Sequence, residues 1–117
     1  MPSALTEIGK DAALAFLFGG AYLGLASGDT EITVSGYKRQ RLVLSKPRTD
    51  EFGRRFQENI AEIRFGPWLE SEDAEIDGWI VVTDEDQIVA QGTATPALPR
   101  RGDEMVVHKR DIVLGIS

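Results

Sequence analysis

The hydrophobic period of the chain changes at Gly19-Gly20, and no other feature constrains the fold as much. Before it, Leu5, Ile8, Ala12, Ala15 and Phe16 recur at helical spacing, with Glu7, Lys10 and Asp11 on the opposite face. This spacing predicts an amphipathic helix over 5–18. Ser3 or Thr6 supplies the N-cap oxygen, and Gly19 or Gly20 takes the left-handed conformation that ends helices. From Ala21 the period is two: Ala21, Leu23 and Leu25 share one face of a strand over 21–26, until Ser27-Gly28-Asp29-Thr30 turns the chain.

The stretch from Ala12 to Asp29 is also the most apolar in the chain, so export and membrane readings need an answer. A secretion signal begins with a positive segment, whereas here Glu7 and Asp11 outweigh Lys10. A spanning helix needs ~20 apolar residues, and the run from Ala12 to Ala26 is shorter and broken by the glycine pair. The expectation is a helix handing the chain to a strand, with no membrane anchor.

Strand signals fill the remainder. Residues 32–44 alternate toward their end, with Leu42 and Leu44 on one face and Arg39, Arg41 and Val43 on the other. A Pro- and Gly-containing loop at 46–55 precedes a strand over 56–65, where Ala61, Ile63 and Phe65 oppose Glu62 and Arg64. Residues 78–95 read as a hairpin: Trp79 to Val82, a polar turn at Thr83 to Gln87, then Ile88 and Ala90 alternating with Val89 and Gln91. The stretch 96–103 breaks the pattern, and Met105 to His108 and Ile112 to Ile116 supply the last strands. Short strands at intervals of about 8–12 residues favour a sandwich or barrel over a parallel α/β fold. At 117 residues the chain fits one domain, helix 5–18 followed by a β-sandwich over 21–117.

Charge and composition exclude several function classes. A net charge of −6 argues against a general nucleic-acid binder, whose affinity comes largely from neutralising phosphates. With no cysteine, thiol nucleophiles, disulfides and Cys-ligated metal sites are absent. The sole histidine, His108, has no local partner pattern and reads as a surface strand residue. There is no G-x-S-x-G elbow, and the glycines at 19, 20 and 24 follow a helix rather than opening one around a phosphate. The acidic segments 70–77 and 84–86 lack the spacing of a calcium loop and read as solvated. Arg101-Gly102-Asp103 is turn chemistry ahead of a strand. Neither an enzyme nor a metal or organic cofactor is expected.

Several elements then line up in order: the helix, Tyr22 to Asp29, Val34 to Ser45, Asp77 to Asp84 and the closing Arg100 to Ile116. Together they resemble small virion proteins of tailed bacteriophages, usually labelled tail-fibre-like or minor tail proteins. The residues that match are Tyr22, Leu23, Leu25, Gly28, Asp29, Val34, Ser35, Gly36, Tyr37, Arg39 and Gln40, with Gly102-Asp103 before the final strands. Thr30-Glu31 stands where a longer turn is usual. The resemblance implies a mainly β fold, a jelly-roll-like antiparallel β-sandwich with a short N-terminal α-helix, assembled into a particle without enzymatic activity.

The functional expectation is a capsid decoration or cement protein, located in a virion assembled in the host cytoplasm. A small tail-associated subunit is the alternative. The expected partners are the major capsid protein or tail subunits and further copies of the chain as a homo-oligomer, with no nucleic acid and no membrane. Basic clusters at Lys38, Arg39 and Arg41, at Arg54 and Arg55, and at Arg100 and Arg101 are the candidate interface, because arginine pairs well with carboxylates across a protein boundary. A carbohydrate- or ligand-binding β-sandwich is the reading from another class, carried by Tyr37, Trp68 and Trp79 if they are exposed together. A small hydrolase using the acidic loop has no motif behind it.

Overall fold

The computed structural model describes residues 6–116, and they form a mainly β structure with one short helix and several antiparallel sheets. The helix, α1, spans Glu7–Phe18. Thr6 caps it: its hydroxyl oxygen accepts the Gly9 N–H at 3.1 Å, satisfying one of the unpaired first-turn donors. Leu5 and Ser3 lie outside the described residues. At the other end Gly19 is extended (φ −64°) and Gly20 takes the positive φ of 73°.

The buried face of α1 is not the one expected. Ile8 is 83% exposed and Phe16 88%, with Ala12 and Ala15 exposed beside them, whereas Leu14 and Phe18 are buried. The reason lies in the polar residues of the inward side. Asp11 accepts two hydrogen bonds from the Arg55 guanidinium, and Lys10 donates to the Gly53 carbonyl, so both are satisfied while facing the body of the protein. Beside these polar anchors Leu14 and Phe18 enter the core, with Leu17 partly buried against it.

The largest sheet is built on β1 (Tyr22–Ser27), which lies between neighbours on both sides. One edge carries two short strands, β2 (Thr30–Glu31), joined to β1 through the Gly28-Asp29 turn, and β3 (Gln40–Arg41). The other edge pairs along its length with β7 (Ile76–Val82), which in turn forms a hairpin with β8 (Ile88–Ala97). Gly28 has φ +60°, as a two-residue hairpin turn requires, and its N–H donates to Asp77. Leu23 and Leu25 are fully buried on the main core face, while Ala26, Ile80 and Val82 form a small cluster on the opposite face.

Between β3 and β7 the chain forms smaller ladders. β4 (Arg48–Thr49) and β5 (Arg55–Glu58) flank a turn, and β5 also pairs with the last strand, β10 (Val113–Ile116). β6 (Ile63–Phe65) pairs with β9 (Met105–Val107). A single core cluster runs from Leu14 and Phe18 through Leu23, Leu25, Leu42, Phe65 and Trp68 to Ile112 and Leu114.

Several strand boundaries differ from the expected ones, where turns and side-chain hydrogen bonds replace ladder bonds. Of residues 32–44 only 40–41 form a strand, because Gly36 (φ +94°) turns the chain at a point where a Cβ would meet the Pro67 carbonyl at 2.5 Å. The expected loop at 46–55 contains β4. The expected strand over 56–65 is split at Asn59, which is wholly buried. Its side chain donates to the carbonyls of Ala61 and His108 and accepts the Ile112 N–H, reinforcing the backbone bonds that its own N–H makes to the Ile112 carbonyl and its own carbonyl accepts from the Arg110 N–H. Ala61 is exposed, while Ile63 and Phe65 are buried as expected. β8 runs on through Pro96 to Ala97, past a bulge opposite Ile76 to Gly78. The 83–87 turn forms as expected, with Thr83 accepting from Glu85 and Gln87 and Asp86 at φ +63°.

Candidate interaction surfaces

The segment around Tyr37 builds a polar cluster against β1. On one edge of β1, pairing with β3 stops after Leu23 and pairing with β2 begins at Ala26. In that gap the Leu25 N–H donates to the Tyr37 hydroxyl at 3.1 Å, and the hydroxyl donates to Glu31 at 2.5 Å. Gly24 makes the arrangement possible, because a Cβ there would lie 2.7 Å from the Tyr37 oxygen and 3.0 Å from Glu31. The Tyr37 ring stacks on Phe65 at 6.1 Å, which holds the hydroxyl in place. Burial raises the Tyr37 pKa, and its hydrogen bond to Glu31 raises it further.

Arg39 closes the cluster. Its guanidinium makes two bonds to Glu31, at 2.8 and 2.9 Å, and one to Asp86 in the β7–β8 turn at 2.6 Å. The Arg39 hydrogen bonds hold the Glu31 carboxyl below its usual pKa against the opposing effect of burial, and the same bonds raise the Arg39 pKa. Arg39 therefore does not reach outward as a free cation. It straps β2 to the far end of the β7–β8 hairpin, within its own chain.

The other candidate interface residues divide in the same way. Arg54 pairs with Asp50 inside the turn between β4 and β5 and lies over the Phe52 ring. Arg55 binds Asp11 of the helix, and Arg100 donates to the Glu72 and Pro99 carbonyls. Lys38, Arg41 and Arg101 are exposed and make no ion pair among the described residues. No hydrogen bond or ion pair joins one basic cluster to another among those residues.

The aromatic trio is not exposed together: Trp68 is 3% exposed and sits in the core, while Tyr37 and Trp79 are half-buried. Arg101-Gly102-Asp103 is locked as a turn against Trp68, whose N–H donates to the Asp103 carbonyl while the Gly102 N–H donates to the Trp68 carbonyl. Among the described residues no group of three His, Asp or Glu is placed to hold a metal ion, and no helix is long and apolar enough to cross a membrane.

The sequence leaves open whether the apolar side of α1 packs on its own body or anchors on a partner, and in the structure that side faces outward. Ile8, Ala12, Ala15 and Phe16 form an uncharged stripe facing solvent, and the nearby turn that Lys10 holds carries Phe52 at 74% exposed. The helical spacing of this stripe was legible. Its direction was not, since an apolar stripe faces inward in most soluble domains. No protein-family model, curated protein or solved structure matches this chain.

Proposed function

We propose that this protein is a bacteriophage virion structural protein, a decoration or cement subunit that attaches to the major capsid protein through its N-terminal helix, on a jelly-roll-like β-sandwich body. The observation that carries the reading is the inverted helix, with Phe16 and Ile8 among the most exposed apolar side chains while Lys10 and Asp11 turn inward. Large apolar side chains grouped on one exposed helix face mark a surface that another protein covers. The sequence resemblance to tail-fibre-like and minor tail proteins supports placing it on a phage particle. Most of the matching residues have fold-building roles: Gly28 and Gly36 take positive φ, Tyr37 and Arg39 build the strap, and Leu23 and Leu25 fill the core.

The charged contacts expected at the basic clusters fall to Lys38, Arg41 and Arg101, because Arg39, Arg54, Arg55 and Arg100 have partners of their own. Exposed ion pairs contribute only ~0.2–1 kcal/mol each, so the apolar helix face is the anchor and the exposed cations tune it. The test is retention of purified protein on emptied capsids, on isolated tails and on bacterial surface glycans, with Phe16→Ser and Ile8→Ser variants beside the wild type. Capsid binding that both variants abolish supports decoration. Retention on tails alone moves the protein to the tail, and glycan binding indifferent to Phe16 rejects the proposal.

A further inference from the structure

We infer that the groove between the segment leading into β4 and the turn after β9 binds a compact, multiply charged phosphate group. The inference goes beyond the proposed function and does not depend on which particle the protein serves. An open groove of about 410 Å³ lies there, and Lys46, Arg48, Lys109 and Arg110 line it against a single carboxylate, Glu58. Its walls therefore carry three positive charges in excess, on a chain whose net charge is −6. Cations gathered on concave walls focus a positive potential and concentrate anions from solution.

Glu58 positions the arginines rather than neutralising the groove. Its side chain is 12% exposed at the end of β5, and its Oε1 faces both Arg48 Nη2 and, at 3.7 Å, Arg110 Nε. A guanidinium has five N–H donors, so both arginines keep donors for a ligand. The Phe56 ring also holds Arg48, its centroid 5.3 Å from the guanidinium carbon. Lys46 and Lys109 are exposed, and neither ammonium makes a hydrogen bond or ion pair among the described residues. Asp111, next along the chain, uses a carboxylate oxygen to accept the His108 N–H at 3.0 Å.

The backbone beneath these side chains is held on both sides. The Ser45 N–H donates to the Glu58 carbonyl at 2.8 Å, and the Glu58 N–H donates to Ser45 Oγ at 3.1 Å. On the other side the buried Asn59 accepts the Arg110 N–H at its carbonyl, at 3.0 Å, and donates from its side chain to the His108 carbonyl at 2.8 Å. The turn closes with the Asp111 N–H donating to the His108 carbonyl at 3.2 Å, and its third residue, Arg110, has φ +70°. Glycine or asparagine suits that position, and an arginine there carries a backbone cost. The fold returns little for it, since the Arg110 side chain is 79% exposed and only 3.7 Å from Glu58. What the arginine adds is a second guanidinium in the wall of the groove.

The ligand class follows from charge and size. A phosphoryl group carries a charge of about −1.5 to −2 at pH 7 and three acceptor oxygens, so two joined phosphoryl groups match the excess, whereas a carboxylate neutralises a single charge. Arginine forks fit phosphate oxygens, and lysines beside them act as point charges. A long polyanion fits less well, because past the groove it runs over the surface of an acidic chain.

Calorimetric titration of the full chain with inorganic pyrophosphate is expected to show a single site that added salt weakens. Replacing both lysines, Lys46→Gln with Lys109→Gln, should lower the affinity at least about tenfold. The thermal unfolding of the unliganded chain should not move, because neither ammonium has a partner in the fold. Arg64→Gln, which removes one charge outside the groove, should leave the affinity little changed. Arg110→Gly separates binding from structure: the unliganded chain should gain stability as the positive φ ceases to cost, and pyrophosphate affinity should fall. Vesicles of phosphatidylcholine with phosphatidic acid distinguish a lipid headgroup from a free phosphate, and the double lysine variant must lose whichever binding the wild type shows. Binding to neither pyrophosphate nor these vesicles overturns the inference. So does binding that the double variant retains, or an oligonucleotide held more tightly than pyrophosphate.

Discussion

The Tyr37 hydroxyl occupies the space in which a side chain at Gly24 would begin, 2.7 Å from the position of that Cβ. The pair explains why a glycine sits between Leu23 and Leu25 in the buried part of β1. Gly24→Ala forces the cluster apart, and overpacking of this kind costs about 1–3 kcal/mol. Tyr37→Phe leaves the Leu25 N–H without its acceptor, at about 1–3 kcal/mol for a buried donor. Because the phenylalanine also removes the oxygen that the new methyl strikes, the two costs should not add. Urea denaturation of both single variants and the double variant measures the coupling, and strict additivity would show that the contact does not constrain the strand.

The Arg39 bonds to Glu31 make the fold acid-sensitive in a defined direction. Glu31 has a folded pKa below its ordinary value, so its contribution is complete above the unfolded value and is lost as pH falls through the folded one. Asp11, bonded to Arg55, and Asp50, bonded to the Arg54 backbone and side chain, shift in the same direction. Stability should therefore decline from about pH 5 downward, where carboxylates begin to protonate. Arg39→Met is expected to cost about 1–3 kcal/mol at pH 7, since it leaves a half-buried carboxylate unpaired, and much less at about pH 2.5, where carboxylates are mostly protonated. Chemical denaturation of both proteins at the two pH values checks this; an equal cost at both would remove Glu31 as the source. Arg39→Glu sets a third carboxylate between Glu31 and Asp86 and is expected to destabilise the isolated chain, so charge reversal at Arg41 is the cleaner probe of docking.

The elements legible in the sequence were those whose own side chains decide them. The change of period at Gly19-Gly20, the Gly28-Asp29 turn and the Thr83–Gln87 turn all formed, because each depends on residues within a few positions. What escaped were features set by distant partners. Asn59 looks like one more polar residue in 56–65 until His108 and Ile112 are brought beside it. Arg39 and Arg41 look equivalent on one strand face, and only the β7–β8 turn, 47 residues away in the chain, gives Arg39 its second carboxylate. The direction of α1 was hidden for the same reason, since Asp11 turns inward only because Arg55 is there to receive it.

The two phenylalanines of α1 should respond oppositely to truncation although one residue separates them. Phe18 is 6% exposed and packs in the core with Leu14, so Phe18→Ala is expected to cost about 3–5 kcal/mol. Phe16 is 88% exposed, and Phe16→Ser should change the stability of the isolated chain by no more than about 0.5 kcal/mol. Thermal unfolding of the two variants compares them directly. Equal losses would mean that the outward face of the helix is packed in solution.

Leu25 is wholly buried on β1, in the strand that joins the helix to the main sheet, and it carries the last prediction. Leu25→Asp sets a carboxylate among Leu23, Phe65 and the rest of the core cluster with no cation assigned to meet it. Burying an unpaired charge costs several kcal/mol, and a chain of this size has a total stability of only about 5–15 kcal/mol. The variant is expected to be largely unfolded at pH 7. Lowering the pH protonates the introduced carboxylate and relieves part of the charge cost, but the same change weakens the Glu31 and Asp11 pairs, so recovery should be small. Leu25→Met, which keeps the volume and the apolar surface, should cost less than about 1.5 kcal/mol. Far-ultraviolet circular dichroism with urea titration of the two variants distinguishes a buried position from an exposed one, and a folded Leu25→Asp protein at pH 7 would show that β1 does not run through the core.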